Sequence, residues 1–123
     1  MRRLLNSFLI FIEKLTSNSL VVAATNYANR LDKALFRRFD DLVEFGLPGE
    51  KEIWATIRAR LAGVKTSALA QQKLLTAADG LSFAEITRAC EEAVKGMLIA
   101  GLKSVTTEML LNALTERRLF LNH

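Results

Sequence analysis

Two adjacent guanidiniums, Arg37 and Arg38, are the residues in this sequence best suited to chemistry on an anion. They come eleven residues after an amide, Asn26, which closes the apolar run Leu20-Val21-Val22-Ala23-Ala24-Thr25. A guanidinium keeps its charge at physiological pH and offers several donors in a rigid fork, so a pair of them suits a phosphate-like group. An unbroken apolar run of this length predicts a strand buried on both faces, of the kind found in parallel sheets covered by helices. Ligands of open α/β sheets bind at the carboxyl ends of such strands, where Asn26 would stand. Plainer readings are a turn-forming amide at Asn26 and a bridge from the arginines to Asp40 and Asp41.

Composition removes other chemistries. Cys90 is the only cysteine, and the only histidine, His123, is the last residue. No intrachain disulfide, zinc site, Cys-His pair or Ser-His machine can be assembled from them. A lone cysteine points to a reducing compartment. Half the residues are apolar and about a quarter charged, as in a soluble globular domain. The net charge of +4 divides evenly between the residues before Gly49 and those after it. A nucleic-acid-binding arm would be lopsided, so nucleic acid is not an expected partner.

The elements that must position these residues follow from periodicity. Residues 2–15 carry a broad apolar face and predict a helix packed on the sheet. Met1-Arg2-Arg3 and the apolar residues after them also resemble a signal peptide, but Asn6 and Ser7 interrupt the run, no clear cleavage site follows, and it is too short to span a bilayer. Strand 20–24 leads to a loop, and Leu31 to Phe36 suggest a short helix presenting Arg37 and Arg38. Leu42 to Phe45 form a second candidate strand, and Gly46-Leu47-Pro48-Gly49 breaks regular structure. Beyond it the pattern is helical. Glu50 to Leu61 buries Ile53, Trp54, Ile57 and Leu61, and Gly63 stops it. A helix capped by Thr66 or Ser67 runs to about Ala78, ended by Asp79-Gly80. Ser82-Phe83-Ala84-Glu85 is a capping box. The helix it opens runs to about Ala100, with Phe83, Ile86, Cys90, Ala93, Val94, Met97 and Gly101 toward the core. Thr106 caps the last helix, which buries Met109, Leu110, Ala113 and Leu114. Two strands alone leave bare edges, which suggests that further strands lie upstream of Met1.

Taken together, these pieces resemble the AAA family of ATPases over nearly the whole chain. Val21 to Asn26 is similar to the strand whose terminal Asn is called sensor 1. Leu31-Asp32-Lys33-Ala34-Leu35-Phe36-Arg37-Arg38-Phe39-Asp40 is similar to the region that carries arginine fingers. Phe45-Gly46-Leu47-Pro48 resembles the junction into the helical lid, and Gly80-Leu81-Ser82-Phe83-Ala84-Glu85-Ile86 the lid motif beside the adenine. The implied fold is an α/β remnant of a P-loop NTPase domain over residues 1–48, then an all-α four-helix lid over 49–123, predominantly helical overall.

The resemblance implies roles. Asn26 would hydrogen-bond the attacking water or the γ-phosphate, and Arg37 and Arg38 would reach a neighbouring subunit's nucleotide. Gly80, Ser82, Phe83 and Ala84 would lie near the adenine. Phe83 stands where the family commonly has Gly; it either packs on the base or fills the lid core, and core is the expectation. The two arginines are adjacent, whereas many members separate them with Pro-Gly, so either could be the principal finger. The sequence has no Gly-x-x-x-x-Gly-Lys-Ser/Thr loop and no apolar strand ending in Asp-Glu. The expectation is therefore a C-terminal piece of an ATPase that uses ATP and Mg²⁺ in its full-length form but is inactive alone. Its whole would work as a cytoplasmic homo-oligomeric ring, a hexamer, on a protein substrate, without a membrane. The alternative is a non-enzymatic helical module that assembles with intact AAA subunits.

Overall fold

The computed structural model describes residues 2–15, 18–25 and 37–122. Five α-helices are formed among them: α1 (Arg2–Glu13), α2 (Glu50–Arg60), α3 (Gln71–Ala78), α4 (Phe83–Ile99) and α5 (Thr107–Leu121). The chain divides into two compact units, Met1–Phe45 and Gly46–His123.

In the first unit, α1 ends in a turn in which Lys14 N–H donates to Ile10 O at 3.1 Å. The Phe8 and Phe39 rings stack with centroids 6.4 Å apart, and Arg38 forms an ion pair with Glu13. The strands expected at 20–24 and 42–45 are not formed: both segments lack regular secondary structure. A strand is defined by the neighbour that takes its backbone hydrogen bonds, and neither segment has one in a ladder among the described residues. Their side chains are correspondingly open, with Leu20 at 88%, Val22 at 81% and Phe45 at 88% of full exposure. The helical majority of the expected fold is seen; its α/β part has no sheet among the described residues. Among the described residues α1 therefore has no sheet of the expected kind to pack on, and Ile10 and Phe11 are exposed.

The second unit is a four-helix bundle around one apolar core. Helix α2 starts with Glu50 and Glu52 and ends with Arg58 and Arg60, each charge facing the helix-dipole end that favours it. Its inner stripe is Ile53, Ile57 and Leu61, all buried, and Gly63 in the left-handed region (φ +81°) turns the chain away. Trp54 is only partly buried, at the margin of that core. Helix α4 contributes Ile86, Ala89, Cys90, Ala93 and Met97, and lies against both α2 and α5. Helix α5 adds Leu110, Ala113 and Leu114. Both expected hydroxyl caps are present: Ser82 Oγ accepts from Glu85 N–H at 3.2 Å and Thr106 Oγ1 from Met109 N–H at 3.3 Å.

Helix α3 differs from expectation. It starts at Gln71, and its N-cap is Ala70, with no side-chain cap. Thr66 and Ser67 are used elsewhere: Thr66 forms an isolated parallel bridge with Val105, and Ser67 N–H donates to Val105 O at 3.0 Å. Thr107 Oγ1 accepts from Ala70 N–H at 3.0 Å. A contact spanning nearly forty residues of sequence thus holds the segment that local chemistry would have wound into a helix.

Candidate functional site

The expected site residues fall into two groups on different units. Asn26 lies outside the described residues. Arg37 and Arg38 follow one another on the surface of the first unit, both exposed. Arg37 projects without an ion-pair partner among the described residues, whereas Arg38 is held by Glu13. The pair with Glu13, rather than with Asp40 or Asp41, comes from the end of α1 reaching residues 37–39, where Phe8 and Phe39 also meet.

Gly80, Ser82, Phe83 and Ala84 are brought together on one tight turn between α3 and α4. Gly80 has φ +83°, a backbone state that only glycine adopts without strain. Leu81 beside it is buried and pins the turn to the core, its N–H donating to Ala78 O at 3.0 Å. Ser82 then caps α4, and Phe83 and Ala84 face solvent. Phe83 is 40% exposed, so the expected core position is not the one observed. As the first residue of α4, its side chain leans back past the helix start, while the buried stripe begins at Ile86. It borders a shallow cleft of about 430 Å³ with Glu52, Thr56, Ala59, Arg60 and Thr87, between the start of α4 and the outer side of α2.

The capping box is half made. Ser82 plays its part, but the Glu85 carboxylate is drawn to Arg117 of α5, 3.7 Å away, instead of returning to the Ser82 amide. Arg118, the next residue, donates to the carbonyls of Ala77 and Asp79 at 2.8 and 2.5 Å. These contacts were not legible in the sequence: a basic residue in the last turn of a helix reads first as dipole compensation.

Cys90 does not qualify as a nucleophile. It is buried in the bundle, and burial pushes its thiol up to about 11, with Glu91 adding to the rise and Arg60 opposing it. Among the described residues no group of three or more His, Cys, Asp and Glu side chains could hold a metal ion, so no residue here is assigned to Mg²⁺. The exposed edge of Phe83 stands open beside that cleft. Among the described residues no helix is long and apolar enough to cross a membrane.

Comparison with known proteins bears on both units. The profile of the AAA family, the ATPase family associated with various cellular activities, matches residues 1–47. An uncharacterized AAA family ATPase, y4kL of Sinorhizobium fredii, is 36% identical over 105 residues, covering 85% of this chain and 32% of that protein. A match of that length cannot be contained in residues 1–47 and runs well into the helical unit. The chain belongs to the AAA family. This AAA chain is also similar to the proteasome-activating nucleotidase of Sulfurisphaera tokodaii, 38% identical over 103 residues (79% of this chain, 26% of that protein). The ATP-dependent zinc metalloprotease FtsH of Mycoplasma mobile is 35% identical over 109 residues, covering 85% of this chain and 15% of that protein. The AAA chain thus spans about a third or less of the length of these relatives.

Proposed function

We propose that this chain supplies the later part of an AAA nucleotide site and works within a ring of AAA subunits, a hexamer, that uses ATP hydrolysis to remodel or unfold a protein substrate. The observation that carries the reading is the turn at 80–84. A glycine-dependent backbone, a capped helix start and an outward-facing Phe83 occur together where the family motif stands. In this reading residues 1–48 continue the α/β nucleotide domain and 49–123 form the lid. Gly80, Ser82, Phe83 and Ala84 border the adenine. Asn26 orients the attacking water or the γ-phosphate.

Arg37 and Arg38 reach the nucleotide of a neighbouring subunit and neutralise charge on the phosphoryl group as it is transferred. ATP and Mg²⁺ are held chiefly by residues outside these 123, and Mg²⁺ supplies charge neutralisation at the phosphates. The exposed positions of both arginines support a role outward from this chain. The names of the relatives, an ATP-dependent protease and a proteasome-activating nucleotidase, support a protein substrate. A cytoplasmic setting accompanies that reading.

The test is ATP turnover by an intact AAA subunit assembled with this chain, comparing wild type with the double variant Arg37→Ala, Arg38→Ala. Fingers donated in trans are worth on the order of 10³–10⁵ in rate in well-studied nucleotidases, so the double variant is expected to abolish the contribution. Turnover unchanged by the double variant would reject finger donation and favour the alternative, a non-enzymatic module held in the ring by packing alone. The exposed apolar residues Leu20, Val22 and Phe45 supply surface for either assembly.

A further inference from the structure

The turn that carries Gly80 to Ala84 is gripped at both ends by consecutive residues of α5, and we propose that Arg117 and Arg118 are positioning residues that set this turn for contact with the nucleotide. The inference rests on the nucleotide-facing reading of the turn given above.

On the entry side, α3 is only eight residues long and has no basic residue in its own last turn. Its final carbonyls need donors from outside, as at any helix end. Arg118 provides them from another helix: one nitrogen, Nη2, donates to Ala77 O and to Asp79 O. Its positive charge also sits at the negative end of the α3 dipole. Asp79 is the residue directly before Gly80, so the guanidinium fixes where the left-handed step begins.

On the exit side, Arg117 lies between two carboxylates of α4, with Glu85 and Glu92 each 3.7 Å away. Its side chain is 14% exposed, and Phe120, one turn further along α5, covers it with the ring centroid 5.1 Å from the guanidinium carbon. Glu85 is the residue whose N–H bonds the Ser82 hydroxyl. Glu85 Oε2 and Arg117 Nε are both buried without a hydrogen-bond partner. Removing Arg117 would leave two carboxylates facing one another and Glu85 Oε2 uncompensated, which drives Glu85 outward and loosens the first turn of α4.

Neither arginine is part of the apolar core, which α5 reaches through Leu110, Ala113 and Leu114. Between the two anchors, Leu81 is the one buried side chain of residues 79–84, and Phe83 and Ala84 have their faces in solvent. The position of those faces therefore depends on the arginines more than the stability of the bundle does.

The experiment measures backbone amide hydrogen exchange in the whole chain and, separately, ATP turnover in assembly with an intact AAA subunit. Loss of the charge-assisted hydrogen bonds of Arg118 and of the mostly buried ion pairs of Arg117 predicts that Arg118→Ala and Arg117→Ala each speed exchange at Leu81 and Glu85 by about tenfold. The amides of Ile57 and Leu110 should keep their rates, and Arg118→Lys and Arg117→Lys should restore most of the protection. In the assembly, KM for ATP should rise several-fold in the Ala variants with kcat preserved, the opposite of the pattern expected from loss of Arg37 and Arg38. Exchange unchanged at Leu81 and Glu85, or raised equally throughout the bundle, overturns the proposal. So does local acceleration with an unmoved KM. A wild-type chain that has no effect on turnover overturns the nucleotide reading itself, and is told apart because the exchange measurement needs no nucleotide.

Discussion

Replacing Gly80 by Ala isolates the backbone of the candidate turn from its packing. Three glycines adopt positive φ, Gly63 at +81°, Gly80 at +83° and Gly101 at +71°. A Cβ added at any of them meets no atom within 4 Å. The cost is therefore conformational: about 1–2 kcal/mol for a left-handed L residue, less about 0.4–1 kcal/mol from the reduced freedom of the unfolded chain. The net loss is about 1 kcal/mol at each site, or roughly 4–8 °C in Tm for a unit of this size. Thermal unfolding followed by circular dichroism should give three similar drops. Turnover by an assembled AAA subunit should fall only with Gly80→Ala, because only that turn leads to Phe83 and Ala84. Gly80→Ala without thermal cost would refute the left-handed turn. Equal functional losses at all three positions would refute the special place of residues 80–84.

Ser82→Ala and Thr106→Ala each remove a hydroxyl that accepts a helix-start amide, and each should cost about 1 kcal/mol in urea unfolding. The Cys90 thiol, raised from 9.0 to about 11 by burial, binds its proton more tightly in the folded chain. Its contribution to stability is whole below pH 9 and lost as pH rises toward 11, so Cys90→Ala should flatten that part of the stability–pH curve relative to wild type. Cys90 should also react with iodoacetamide near neutral pH only after unfolding. The Arg38–Glu13 pair is exposed on both sides, so Arg38→Ala should lower stability by under about 1 kcal/mol. A large loss of partner turnover in that variant would then be functional rather than structural.

The helical unit was legible because its signals are local. Ser82 and Thr106 are hydroxyls followed by apolar stripes at helical spacing, and Gly63 and Gly80 stop helices through a conformation other residues avoid. The misread start of α3 has a non-local cause: Thr66 and Ser67 are good caps, but Val105 engages them first. Phe83 was misread because an apolar residue at a helix start shares the sequence pattern of the core while its side chain points past the helix end. The runs 20–24 and 42–45 carry strand composition, yet a strand exists only with a partner, and composition does not supply one. At the candidate site, the turn residues could be read from their motif. Arg117 and Arg118 could not, because their targets lie on other helices about forty and thirty residues earlier.

In the proposed function this chain completes an ATP site, with the 80–84 turn against the base. The most direct test is photolabelling with an azido-adenine nucleotide in the assembly with an intact AAA subunit, followed by mass-spectrometric mapping of the adduct. A nucleotide-protectable adduct is expected within Gly80 to Ala84 of this chain, diminished by Gly80→Ala. Adducts confined to the partner subunit, or placed on this chain beside Trp54 and Arg58 instead of Phe83, would contradict it.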